Sequence, residues 1–276
     1  MVEPVSAALF RPDLVASDLD GTLLPADDED LPRTRRAIDR LRVAGIPFLI
    51  CTGRMFCSAR RVAAKLGLTE GPVICYQGAL VADLATGEYL LHRPMNGEVA
   101  AEGVRHLREL GRHLNAYIDD KLLVEELDDC ARFYAEHTEV GIEVVPDLEA
   151  AVTARPPTKL VAISDPADVE RILPELQERW RGRLYVTQSQ AEYIEMADAS
   201  VTKSGALRWL CAREGWRRHR SVACGDGHND IDMLRWAGLG VAMAEAAPDV
   251  RAAAGLVVPH EELPRLLMRF SEAPPD

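Results

Sequence analysis

Short apolar runs, each broken by glycine, proline or an acid, set the rhythm of this chain. Leu14–Ser17, Pro47–Cys51, Val73–Tyr76, Ser221–Cys224 and Leu239–Met243 are almost wholly apolar, as strands buried on both faces of a parallel sheet are. Between them apolar positions recur at helical spacing. Thr34–Ala44 carries Ala37, Ile38, Leu41 and Ala44 and stops at Gly45; Phe56–Leu66 stops at Gly67, and Thr202–Glu214 at Gly215. Glycine just past the last periodic residue supplies the left-handed turn that closes a helix. Strands alternating with helices predict an α/β fold with a doubly wound, mostly parallel, Rossmann-like core sheet.

The pattern changes from about Asp83 to Ser189. Strands are expected at Tyr89–Arg93, Leu114–Ile118, Leu122–Glu125, Ile142–Val145, Lys159–Ile163 and Tyr185–Gln188, with helices over Gly97–Leu110, Cys130–His137 and Ala167–Trp180. Leu114–Ile118 and Leu122–Glu125, split by Asp119-Asp120, form a predicted hairpin. We therefore expect a discontinuous core, residues 1–82 and 190–276, with an α+β domain inserted at 83–189.

At 276 residues, 47% hydrophobic and 28% charged, the chain has ample material for a globular core and two domains. It has no apolar stretch of bilayer length, and Met1-Val2-Glu3-Pro4 lacks a signal-peptide pattern, so a cytoplasmic location is expected. The six cysteines are scattered, with no C-x-x-C pair, which points to reduced thiols rather than a zinc site or disulfide framework. A formal net charge of −12 argues against nucleic-acid and anionic-membrane partners. An anionic substrate would have to find its positive charge locally.

Four segments carry candidate chemistry. Ser17-Asp18-Leu19-Asp20-Gly21-Thr22-Leu23 puts two carboxylates beyond the first strand, where open α/β sheets hold ligands. One can be a nucleophile and the other a general acid and base. Thr52-Gly53-Arg54 places a hydroxyl, amides and a guanidinium at another strand end, a ready phosphate cradle. Lys203 opens a helix, where the helix dipole disfavours a cation. Gly225-Asp226-Gly227-His228-Asn229-Asp230 offers hard oxygen ligands suited to Mg²⁺, with His228 read as a loop residue. Alone, each has a plainer reading: an acidic Asp-Gly turn, a Thr52 cap, a solvated lysine, an acidic helix start. Their convergence on the strand ends of one sheet points to a site.

These residues resemble the haloacid dehalogenase superfamily of phosphohydrolases, whose ordered signature is D-x-D-x-T, Ser/Thr, Lys and an acidic D-x-x-x-D or G-D-x-x-N-D element. Within it the chain looks like the Cof-like branch, with D-x-D-G-T-L-L, T-G-R and G-D-G-x-N-D as they stand here. The resemblance implies a Mg²⁺-dependent phosphatase hydrolysing a small phosphorylated metabolite, a sugar phosphate or similar monoester, through an aspartyl-phosphate. It makes Asp18 the nucleophile and Asp20 the acid, then base. Thr52 with the following Gly53 amide and Lys203 hold the phosphoryl group, and Arg54 contacts substrate. Asp18, the Asp20 carbonyl and Asp226 bind Mg²⁺; Asn229 and Asp230 support the metal's waters and Lys203. The 83–189 insert becomes a cap that excludes water and selects substrate, hinged near Asp83 and Gln190.

The chain departs from the branch in having Ser204 for Gly, Gln77 for Asn and Ala244-Glu245 for Gly-Asn; these bear on the substrate rather than the reaction. A phosphomutase shares the phosphoaspartate and is the alternative among enzymes. A non-catalytic phospho-ligand sensor or a phosphate-storing receiver is the alternative outside them. The intact Asp18, Asp20, Lys203 and Asp226 weigh against the sensor, and Asp20 with a large cap against the receiver. Asp27–Asp30 is read as a solvated acidic loop, and Trp180, Trp209, Trp216 and Trp236 as packing residues.

Overall fold

The computed structural model describes residues 10–24, 31–138 and 140–274. The Met1–Pro4 start, the Asp27–Asp30 loop and the final Pro275-Asp276 lie outside the described residues. In chain order the elements begin with β1 (Leu14–Ser17), α1 (Leu31–Val43), β2 (Phe48–Ile50), α2 (Phe56–Lys65), β3 (Pro72–Cys75), β4 (Leu80–Asp83), β5 (Tyr89–His92) and α3 (Gly97–Glu109). They continue with β6 (His113–Ile118), β7 (Lys121–Val124), α4 (Asp129–Thr138), β8 (Ile142–Val144), α5 (Leu148–Ala154), β9 (Lys159–Ile163), α6 (Pro166–Arg179), β10 (Leu184–Gln190) and β11 (Tyr193–Asp198). The last are α7 (Lys203–Glu214), β12 (Ser221–Gly225), α8 (Ile231–Trp236), β13 (Leu239–Met243), α9 (Pro248–Ala252), β14 (Leu256–Val258) and α10 (Leu263–Glu272).

Two compact units result. One comprises Met1–Cys51, Ala63–Leu68 and Leu207–Asp276, the other Thr52–Val62 and Thr69–Ala206. The first holds a parallel sheet in the order β14-β13-β12-β1-β2. Every residue of β1 is buried, and Ser17 stands opposite both Cys224 of β12 and Ile50 of β2. The first strand in sequence is thus interior to the sheet, with later strands added on both sides. That creates a topological switch point between β1 and β12, beyond whose carboxyl ends ligands bind in such sheets. α1 buries Thr34, Ala37, Ile38 and Leu41, the one-sided stripe that its sequence spacing predicts.

The second unit contains two sheets. In the smaller, β3-β4-β5, both pairings are antiparallel. This corrects the expectation that Val73–Tyr76 continues the parallel sheet. Tyr76, Gln77 and Gly78 have φ of 51, 58 and 101°, so the chain reverses at once and β4 returns beside β3. The larger sheet has the order β10-β11-β9-β6-β7-β8, with β7–β8 its parallel pair. The β6–β7 hairpin forms as expected, and Asp119 and Asp120 at its tip have φ of 52 and 57°, as a type I′ turn requires. β11 pairs with both β9 and β10, so segment 193–198 belongs to this sheet. Asp83 and Gln190, where hinges were expected, end strands of antiparallel hairpins.

Helices α3, α5 and α6 cover one face of the larger sheet. Ala100, Val104, Leu107, Leu148, Val152, Val169 and Ile172 pack there with Leu114, Ala116, Ile118, Leu160, Ala162, Ile194 and Met196. Trp180 is buried in the same core, as expected of a packing residue. Side chains alternate across a strand, so the intervening Asn115, Tyr117, Lys159, Val161 and Glu195 belong to the opposite face. All are nevertheless buried.

Candidate active site

The acidic residues are assembled by the ends of β1 and β12. The Asp18 N–H donates to the Cys224 carbonyl at 2.9 Å, which extends the parallel register one residue past β1. Gly21 follows with φ of +82°, and a Cβ there would lie 2.3 Å from Asp226 Oδ2. Only glycine permits both the turn and that approach. The Thr22 hydroxyl donates to Asp226 Oδ1 at 2.6 Å. Asp230 Oδ2 accepts from the Asp226 and Gly227 amides at 3.0 and 2.9 Å, fixing the loop that carries Asp226. A Cβ on Gly225 would come within 2.6 Å of Asp230, so this approach too depends on glycine.

Asp18, Asp226 and Asp230 each offer an oxygen, and these oxygens lie within 4.8 Å of one another. Asp18 and Asp230 are buried and Asp226 half-buried. The all-carboxylate donor set fits a hard divalent cation, whose opposite ligands stand about 4.2 Å apart for Mg²⁺. Asp20 is exposed and outside this cluster; its backbone bridges to Leu24. Asn229 is half-buried beside Gly227, where a Cβ would meet its Oδ1 at 2.3 Å. His228 pairs with Asp249 at 3.1 Å, and Glu245 is exposed.

The second unit assembles the other candidates. Thr52 is fully buried. Its N–H donates to the Ile74 carbonyl at 2.9 Å, and its carbonyl accepts from the Gln77 N–H at 3.1 Å. Its hydroxyl accepts from the Arg54 N–H at 3.1 Å, leaving the hydroxyl proton to be donated. The Gly53 N–H meets no acceptor among the described residues. A Cβ on Gly53 would lie 2.4 Å from Gln77 Nε2, so the turn closes against that side chain. Gly78, two residues into the reversal, would with a Cβ meet the Thr202 carbonyl at 2.3 Å. The segments Thr52–Arg54, Tyr76–Gly78 and Thr202–Lys203 thereby come together. Lys203 is 1% exposed at the first position of α7, not the solvated lysine of the plainer reading. The Thr202 hydroxyl caps that helix, accepting from the Gly205 N–H at 2.9 Å.

Three charged residues here escaped the sequence reading. Lys159 Nζ lies 2.9 Å from Glu195 Oε1 and donates to the Gly53 carbonyl at 3.1 Å. It also stands over the Tyr117 and Tyr76 rings, 4.9 and 5.7 Å from their centroids. Glu195 Oε2 accepts from Gln77 Nε2 at 3.4 Å. Asp120, at the hairpin tip, accepts from the Phe56 and Cys57 amides at the start of α2 and from the Tyr76 hydroxyl, at 2.7–2.8 Å. The signal was present for two of them: a lone lysine heads the apolar β9, and a lone glutamate interrupts Ile194–Met196.

Burial shapes the acid–base behaviour of this neighbourhood. It pushes the Asp120 carboxyl up from the ordinary range, against the hydrogen bonds that favour its charge. Tyr76 is raised well above a normal phenol by burial and the nearby Asp120. The Cys57 thiol, half-buried beside Asp120, rises to about 11, so it is protonated at neutral pH and is no nucleophile. All six cysteines are free, as the scattered spacing predicts.

No described helix is long and apolar enough to cross a membrane. The chain matches the haloacid dehalogenase-like hydrolase family over residues 15–263. It is 30% identical to a phosphoglycolate phosphatase of Archaeoglobus fulgidus, across 91% of this chain and 92% of that protein. It is 28% identical to the pyridoxal phosphate phosphatase YbhA of Escherichia coli, across 89% and 92%. The crystal structure of TM0651 from Thermotoga maritima superposes with a TM-score of 0.82 at 31% identity, covering 97% of this chain and 99% of that one. The order of the motifs, the parallel sheet with its acidic strand ends and these likenesses agree: the chain belongs to the haloacid dehalogenase-like hydrolases.

Proposed function

We propose that this hydrolase is a Mg²⁺-dependent phosphatase acting on a small phosphorylated metabolite, a sugar phosphate or similar monoester. Membership of the family and the phosphatase relatives support a phosphoric monoester hydrolase. The observation that carries the reading is the meeting of the Asp18, Asp226 and Asp230 oxygens within 4.8 Å beyond adjacent parallel strands.

In this reading an Asp18 carboxylate oxygen attacks phosphorus and the bond to the ester oxygen breaks. Asp20 gives its proton to the departing oxygen. A water molecule then attacks the phosphoaspartate, Asp20 takes its proton, and orthophosphate leaves with Asp18 restored. One carboxyl acts as acid and then base, as a two-step displacement requires. Asp18, the Asp20 carbonyl and Asp226 hold Mg²⁺, with Asn229 and Asp230 orienting its surroundings. When bound, the cation neutralises charge on the phosphoryl oxygens. Thr52, the Gly53 amide and Lys203 hold those oxygens, and Arg54 reaches the rest of the substrate. Positioning and electrostatics are most of what phosphoryl transfer needs from a protein. The inserted segment 83–189 acts as the cap that selects among substrates.

The test is phosphate release from p-nitrophenyl phosphate and a panel of sugar phosphates, nucleotides, phosphoglycolate and pyridoxal phosphate, with and without Mg²⁺. Release that needs the metal and disappears in Asp18→Asn is expected. Release from no compound by folded, Mg²⁺-supplied protein overturns the reading.

A further inference from the structure

The face of the six-stranded sheet opposite its helices carries a buried ion pair that the steps above do not use. We propose that Lys159, held by Glu195, is a positioning residue for phosphoryl transfer: it fixes the Gly53–Arg54 peptide, and through it the Thr52 hydroxyl. This rests on the reading of Thr52 and Gly53 as the phosphoryl-binding turn.

The turn consists of two peptides, anchored from two sides. The carbonyl of the Thr52–Gly53 peptide accepts from the Gln77 N–H. In a trans peptide the N–H points the other way, so this bond turns the Gly53 amide outward as a donor. The Gly53–Arg54 peptide is held at both ends. Its carbonyl accepts from Lys159 Nζ at 3.1 Å, and its N–H donates to the Thr52 hydroxyl at 3.1 Å. Lys159 therefore sets which lone pair of Thr52 is occupied and where its proton points.

An outside anchor is needed because residue 53 cannot supply its own. It is a glycine, on which a Cβ would crowd Gln77 Nε2 at 2.4 Å, and glycine leaves adjoining peptides conformationally loose. An ammonium makes a stronger tether than a neutral donor, particularly out of water. The Glu195 carboxylate, 2.9 Å from Lys159 Nζ, and the face of the Tyr117 ring complete its surroundings. The sheet supplies all of these from one face: Lys159 stands opposite Tyr117 in register, and Glu195 opposite Val161 of the same strand.

The experiment uses the full chain carrying Lys159→Met/Glu195→Gln. Removing both charges avoids stranding one of them, so folding is retained where a single change would lose it. Orthophosphate binding is measured by calorimetry with Mg²⁺ present, and turnover with p-nitrophenyl phosphate. About tenfold weaker orthophosphate binding and about tenfold lower kcat are expected, the scale of one misaligned charge-assisted contact. Binding and kcat both within about twofold of wild type, where one hydrogen bond is worth more, overturn the proposal and make the pair a packing feature. Should that variant fail to fold, Lys159→Met/Glu195→Met removes both charges in apolar form and answers the same question. Wild type that binds orthophosphate but hydrolyses nothing overturns the phosphatase reading alone, and the binding comparison still decides the role of Lys159. Wild type that binds no orthophosphate overturns both.

Discussion

The two large sheets of this protein place their chemistry by different rules. In the parallel sheet the interior strands β1 and β12 are buried along their whole length, so reactive groups occupy the residues just beyond their ends, at Asp18 and Asp226. In the six-stranded sheet, helices cover one face and the polar residues lie along the other: Asn115, Tyr117, Lys159 and Glu195. A strand end is a contiguous piece of sequence and is fixed by the ladder hydrogen bonds behind it. A sheet face is drawn one residue at a time from separate strands and depends on register. The first arrangement should be intolerant of backbone change, the second of losing a partner.

Gly21→Ala tests the strand ends most severely. The new methyl group would sit 2.3 Å from Asp226 Oδ2, on a backbone with φ of +82°, so Asp226 or the loop must move. A displacement of about 1 Å near reacting groups costs about a hundredfold in rate, and we expect at least that loss in phosphate release, with weaker Mg²⁺ dependence. Near-normal turnover would show that the strand-end geometry is not rigid. Gly53→Ala makes the equivalent change in the other unit, but its methyl meets the end of a side chain, Gln77 Nε2 at 2.4 Å. A side chain can yield where a fixed carboxylate cannot. We expect about a tenfold rise in KM for p-nitrophenyl phosphate, about one contact's worth of binding energy, and substantial recovery in Gly53→Ala/Gln77→Ser. Failure of that rescue would mean that the backbone of the turn, not Gln77, resists the methyl group.

This contrast also explains how much could be read before folding. The interior strands, the helices closed by Gly45, Gly67 and Gly215, and the hairpin at Asp119-Asp120 are local patterns, and all are present. The acidic segments were legible because each is continuous in sequence. The sheet assignment of β3 was not, because it depends on a reversal at Tyr76 and Gln77, and non-glycine residues seldom take positive φ. The edge strand β14, only three residues long, is too short for its periodicity to register. Lys159 and Glu195 lie 36 residues apart and are joined only by the pairing of β9 with β11. Asp120 read as a hairpin turn residue, which it is; that its carboxylate also caps α2 follows from tertiary placement that no local pattern encodes.

Two aspartates, one in each unit, carry the comparison into stability. The Asp13 carboxylate accepts from the backbone N–H and the guanidinium of Arg217 at 2.8–3.0 Å, and these bonds hold its carboxyl down at about 2. A carboxyl lowered by folding stabilises the native state above its unfolded value near 4, and that contribution disappears as pH falls from about 4 to about 2. Asp13→Asn should therefore lower the melting temperature at pH 6, and most of the deficit should disappear between pH 4 and pH 2. A deficit constant across that range would show that charge plays no part.

Asp120 should do the reverse, and by less. Burial raises its carboxyl, so the native state holds its proton more tightly than the unfolded chain does. Stability from this group is then greatest at low pH and declines as pH rises above about 4 towards the raised value. Asn at this position keeps one acceptor for the α2 amides and carries no charge to bury. Relative to wild type, Asp120→Asn should melt lower at pH 4 and recover part of that difference by pH 7. Differential scanning calorimetry at both values reads the change directly. A widening difference would mean that the amides of Phe56 and Cys57 and the Tyr76 hydroxyl hold the ionised form more firmly than burial opposes it. The hairpin tip would then act as a charged cap on α2, fixed by its partners as the strand-end carboxylates are, and the distinction between the two sheets would fail at this residue.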